Sequence, residues 1–141
     1  MASRRKGRIA AFQALYALEC GACLEDLTFD WSTGDTVPEW VPFARLLLQG
    51  TVDNLPAVDE IIAAHLDHWD ISRLKKVDLA ILRLSSYALL YQSSIPANVT
   101  IDEAVHIAKE FSANESYRFI NGVLDAINRD FQSRSRGNTG S

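Results

Sequence analysis

Apolar residues recur at helical spacing along almost the whole chain, and no segment alternates in the manner of a strand. The first stretch places Ile9, Phe12, Leu15 and Tyr16 on one side of a helix from about Arg5 to Cys20, with Gly21 as its stop. A short amphipathic turn, Leu24 to Trp31, follows. Ser32 to Pro38 reads as a loop broken by Gly34 and Pro38. The next helix spans about Glu39 to Leu55. Ala44, Leu47, Leu48, Thr51 and Leu55 share its inner face, and Pro42 is tolerable in its first turn. Pro56 suits the start of another helix, in which Val58, Ile61, Ile62 and Leu66 face inward.

Asp70 or Ser72 can cap the segment that leads into Val77–Tyr91. That segment is apolar on nearly every side, the mark of a central helix. Arg83 interrupts it and calls for a structural salt bridge. Ser93 to Val99 reads as a loop around Pro96. Thr100-Ile-Asp-Glu103 has the form of a capping box, and Ile101, Ala104, Val105, Ala108 and Phe111 form the stripe of the helix it would open. A last helix presents Phe119/Ile120, Val123/Leu124, Ile127 and Phe131. Gly122 falls in its middle, at a cost of about 1 kcal/mol relative to Ala, so a neighbouring helix is expected to approach closely there. Residues 133–141 are polar and rich in Gly and Ser, which predicts disorder. The expectation is an all-α, compact single-domain bundle of about seven helices over residues 1–132.

Composition narrows the class. The chain has 141 residues, 48% of them hydrophobic and 23% charged, enough for one folded domain with a real core. No apolar run reaches membrane-spanning length and no signal-peptide pattern opens the chain, so the cytoplasm is the expected compartment. Cys20-Gly-Ala-Cys23 has the spacing of a redox pair or half a zinc site. No strand precedes it, and His65, His68 and His106 supply no second tight pair of ligands. Two reduced thiols and no metal are the better reading. Phosphate loops, nucleophile elbows and two-histidine metal helices are missing, so neither catalytic residues nor a cofactor is expected.

Charge adds a candidate function. Arg4, Arg5, Lys6 and Arg8 crowd the front of the first helix, and no acid appears before Glu19. The whole chain carries −4, so the rest of it carries −8. A helix N-terminus already bears partial positive charge, which makes this the wrong end for cations if folding alone decides. Nucleic-acid phosphate is the commonest anionic partner for such a cluster; the bland alternative is a solvated terminus that aids solubility. Four phosphate contacts to a single strand would give a log-affinity against log-salt slope of about −3.

Two runs are more specific. Ile95-Pro-Ala-Asn-Val-Thr-Ile-Asp-Glu-Ala-Val-His-Ile-Ala-Lys-Glu-Phe111 is followed by Glu115-Ser-Tyr-Arg-Phe-Ile-Asn-Gly-Val-Leu-Asp125. Together they closely resemble the C-terminal part of the NusB family of bacterial transcription antitermination factors. The resemblance extends from Arg4 to Ile127. It takes in Arg4-Arg5-Lys6-Gly-Arg8 with Gln13-Ala-Leu-Tyr16, then Phe43-Ala-Arg-Leu-Leu-Leu-Gln-Gly50, then Val77-Asp-Leu-Ala-Ile-Leu-Arg-Leu84. Departures are small: Asp102 for the usual Asn, Thr100 for Ala, Ser112 for Gly.

The resemblance implies an all-helical RNA-binding factor without catalytic activity. Such proteins pair with NusE, also a small-subunit ribosomal protein. The pair binds the boxA element of nascent transcripts, notably ribosomal RNA leaders, within the RNA polymerase antitermination complex. It implies RNA-facing roles for Arg4, Arg5, Lys6, Arg8, Gln13, Tyr16, Phe111, Glu115, Arg118 and Phe119, and a NusE-facing role for Asp78. Spacing alone leaves Phe111 and Phe119 equally well placed in the core. Relatives include monomers and homodimers, so a homodimer is among the expected partners. Two other readings stand beside this one. The helical domain also resembles the RNA-binding domain of ribosomal RNA cytosine methyltransferases, and it could be an interaction module that binds only protein.

Overall fold

The computed structural model describes residues 2–29, 31, 36–67 and 70–139. Seven α-helices are found among them: α1 (Ala2–Glu19), α2 (Leu24–Phe29), α3 (Val41–Asp53), α4 (Leu55–Ala64), α5 (Lys76–Tyr91), α6 (Ala97–Phe111) and α7 (Ser116–Thr139). A 3₁₀ turn, Ile71–Arg73, precedes α5, and the described residues contain no strand. None of these helices is long and apolar enough to cross a membrane. The expected all-α bundle is therefore observed. His68 and most of the loop between Trp31 and Thr36 lie outside the described residues.

Local chemistry accounts for several boundaries. α1 ends in a Schellman motif: Gly21 adopts φ +107°, its N–H donates to Leu18 O at 3.0 Å, and Ala22 N–H donates to Ala17 O at 3.0 Å. Only glycine takes that φ without strain. Pro42 and Pro56 sit in the first turns of α3 and α4, where their missing N–H costs nothing. Asp70 accepts from the Ser72 N–H at 3.1 Å and caps the 3₁₀ turn.

Thr100-Ile-Asp-Glu103 does not cap a helix. α6 begins earlier, at Ala97 behind Pro96, so Thr100 lies inside it and its buried hydroxyl has no partner. Val99 and Thr100 N–H groups donate to Pro96 O instead. Glu103 turns outward to Arg5. α7 runs to Thr139, well past Phe131, through polar sequence that composition marks as unstructured. Pairs at i,i+4, Arg129–Asp125 and Arg134–Asp130, support that exposed extension.

α5 is the hub. It packs against α1, α3, α4, α6 and α7, and Leu79 to Leu82 and Leu84 to Leu89 are buried. Gly50 lets α3 cross α5 closely, because a Cβ there would overlap the buried Tyr87 ring. Arg83 makes the expected structural bridge: its Nε and Nη2 donate to the two Asp59 oxygens at 2.9 Å each, and Nη1 donates to Glu19 at 3.0 Å. Burial works against its charge, but these bonds outweigh it and hold its pKa above the usual arginine value. Gly122 corrects a second expectation. It is exposed, and a Cβ there would meet no atom within 4 Å. Helix packing does not explain this glycine.

Candidate nucleic-acid interface

Arg4, Arg5 and Lys6 project from the first turns of α1 into solvent. They differ in what they touch. Arg5 is paired: its guanidinium donates to both Glu103 oxygens at 3.1 Å. Burial pushes the Glu103 carboxyl up. The Arg5 hydrogen bond and charge, with Arg8 and His106, outweigh it and hold the carboxyl below its usual 4.5. That pair is intact at neutral pH. Its stability is present above the usual carboxylate range and is lost as pH falls through the lowered value. Arg4 rests its guanidinium carbon 4.4 Å from the Phe43 ring centroid. Neither Arg4 nor Lys6 has an acid partner among the described residues.

Arg8 departs from the expected set. It is only 9% exposed and lies 5.2 Å from the Phe43 ring. Burial, followed by repulsion from Arg4 and Arg5 against attraction to Glu103, lowers its pKa. It is a cation held under the arm, not an open phosphate contact. Its spacing to Phe12 and Leu15 puts it on the inner face of α1, where Leu47 of α3, Leu84 and Ala88 of α5 and Ala104 of α6 surround it.

Two contacts align α1 with α6. Arg5 meets Glu103, and two turns later Phe12 meets Phe111 with ring centroids 5.3 Å apart. The pairs follow the same chain order, so the helices run parallel here. Arg5, Gln13 and Tyr16 share one helical face, and Tyr16 is 39% exposed. Phe111 is neither core nor free: one side packs on Phe12 and more than a third of it meets solvent.

The junction of α6 and α7 continues this surface. Lys109 and Arg118 approach the Tyr117 ring at 4.7 and 5.7 Å, and Arg118 pairs with exposed Glu115 at 3.3 Å. Half-buried Phe119 is a wall shared by two clefts. One, of about 350 Å³, has Arg73, Lys75, Asp78 and Ser116 on its other sides. The second, of about 370 Å³, includes His65, Arg118 and Gly122. Tyr117, Lys109, Arg73 and Lys75 are members of this surface that periodicity does not single out; the Lys75-Lys76 dipeptide beside Arg73 is the one sequence signal for them.

Asp78 is not an open acid. It is 6% exposed, and its two oxygens accept from Ser112 Oγ and Ser116 Oγ, the second at 3.2 Å. It ties the loop between α6 and α7 to α5. The histidines have ordinary partners: His65 bonds Ile61 O and approaches Asp130, and His106 approaches Glu110. Cys20 and Cys23 are exposed free thiols.

This arrangement of free cations on a helix end beside exposed aromatic rings suits a strand with unpaired bases. The sequence profile of the NusB family matches residues 5–129. The chain belongs to the NusB family. It is 47% identical over 128 residues to the transcription antitermination protein NusB of Treponema denticola, covering 88% of this chain and 94% of that one. The fold is similar to that of T. maritima NusB, with TM-score 0.80, 36% identity and coverage of 89% and 90%. It is also similar to a structure of the antitermination factors NusB and NusE in complex with double-stranded RNA, with TM-score 0.80, 25% identity and coverage of 92% and 98%. The family match takes in every candidate RNA-facing residue described above except Arg4, which lies one position before it.

Proposed function

We propose that this chain is a non-catalytic, cytoplasmic transcription antitermination factor that binds boxA-type single-stranded RNA of nascent ribosomal RNA transcripts together with NusE. The observation that carries this reading is the pair of exposed cations, Arg4 and Lys6, that have no acid partner among the described residues and stand at the head of a helix whose exposed face leads to Tyr16 and Phe111. The similar proteins are named antitermination proteins, and one similar structure holds NusE and RNA. That RNA is double-stranded; the exposed rings here favour a single strand, because only unpaired bases offer free faces for stacking. The negative charge outside the arm suits a basic protein partner. Asp78 contributes to that contact from the cleft it lines.

The test is a fluorescence titration with a short boxA-type RNA at several salt concentrations, with and without NusE. Two open cations predict a slope of about −1.4, not the −3 of four equal contacts. An Arg4→Ala, Lys6→Ala double variant should flatten the slope and weaken binding while melting like the parent. Unchanged affinity in that variant rejects the RNA-binding reading.

Arg5 supplies a second test. Glu103 competes with phosphate for its guanidinium. Glu103→Gln should release Arg5 and steepen the slope by about 0.7, one phosphate's worth. A slope that stays the same means Arg5 does not reach the RNA.

A further inference from the structure

The head of α1 and the start of α3 enclose a surface groove of about 360 Å³, lined by Arg4, Glu39, Trp40, Pro42, Phe43 and Leu46. Its floor is aromatic and fixed in place. Gly7 allows the close crossing that builds it: a Cβ there would meet a Phe43 ring carbon at 3.0 Å and the Trp40 carbonyl oxygen at 3.1 Å. Trp31 packs edge-on against Trp40, with ring centroids 5.9 Å apart. Leu46 is 47% exposed and forms an apolar rim. Arg4 lies over Phe43 at the groove, and no acid among the described residues forms an ion pair with it.

We propose that this groove is a nucleobase pocket, which holds one base of the bound RNA strand against Trp40 and the Arg4–Phe43 stack. The proposal rests on the RNA-binding reading above and extends the strand's path from α1 onto α3. Arg4 belongs to both the groove and the basic arm, so a backbone held by Arg4 and Lys6 passes along the groove's edge. A guanidinium flattened on an aromatic ring is itself a stacking platform for an unpaired base. Glu39 repels phosphate, which keeps the backbone on the cationic side. The same carboxylate accepts hydrogen bonds from a base edge. Guanine alone sets a ring N–H beside an exocyclic amino group, two donors for one carboxylate. The pocket therefore prefers guanine.

Trp40→Leu keeps apolar bulk but removes the stacking face. It should lower affinity for the boxA-type RNA at least about fivefold, with the salt slope unchanged. Trp40→Phe should retain most of the affinity. Replacing guanine by inosine in the RNA removes the amino donor and should weaken binding to the parent protein, but not to Glu39→Gln. If the parent binds RNA and Trp40→Leu binds it equally well, the pocket is wrong and the RNA-binding reading stands; failure of the parent to bind rejects that reading itself. Should Trp40→Leu melt early, the Glu39→Gln comparison decides, because it alters only an exposed side chain: an inosine penalty of the same size in both proteins overturns the pocket. Sedimentation is the last arm. A parent dimer that Trp40→Leu converts to monomer would assign the groove to a second copy of the chain and overturn the proposal.

Discussion

Asp78→Lys is expected to destabilise the fold by about 3–5 kcal/mol, a large share of the roughly 5–15 kcal/mol that holds a typical domain together. The carboxylate is 6% exposed and its acceptors satisfy Ser112 and Ser116. An ammonium in its place has no partner in that setting, and two hydroxyls lose theirs. Asp78→Asn keeps an acceptor and the side-chain size, so its cost should be about 1 kcal/mol. Urea denaturation of the two variants checks the difference; a Lys variant as stable as the parent would mean that the junction of α6 and α7 does not depend on this acid. The result also decides how a NusE contact at Asp78 should be probed. A charge reversal would report unfolding, whereas the Asn variant isolates the contact.

Removal of Arg83 has the second large effect. Its side chain is 13% exposed and bridges α5 to α4 through Asp59 and to the end of α1 through Glu19. Arg83→Ala leaves Asp59 partly buried without its bidentate partner and opens space beside the central helix. The partial exposure of both acids moderates the loss, to about 2–3 kcal/mol. Arg83→Met, which preserves the stem packing, should recover part of it. Thermal melts of the two variants distinguish charge from packing: equal loss in both assigns the whole effect to the ion pairs.

Legibility from sequence followed the range of the forces involved. α5 could be read because burial on several sides leaves apolar residues on nearly every face of the helix, and the same burial required a partner for Arg83. The end of α1 could be read because the left-handed φ at Gly21 is a local demand. Thr100 to Glu103 misled because a capping box and a mid-helix segment share the same letters; what separates them is where the chain enters the helix, and Pro96 sets that four residues upstream of Thr100. Arg8 was grouped with the open arm by its charge, although its spacing to Phe12 and Leu15 places it on the face of α1 that α3, α5 and α6 enclose. The burial of Asp78 could not be read either, since its partners Ser112 and Ser116 are distant in sequence. For the site, the basic arm and the aromatic positions were visible, but their division into paired, buried and open members was not. That division depends on α3 and α6.

The hub position of α5 has a consequence for synthesis. Ribosomes deliver α1 first, yet its inner residues Ala11, Phe12 and Leu15 belong to the core that α3 and α5 complete. α5 in turn needs α6 and α7 to cover its far side. The core as a whole therefore closes only when the last third of the chain is made. Through that interval the cationic arm is already outside the ribosome and already surrounded by RNA, before Glu103 exists to engage Arg5.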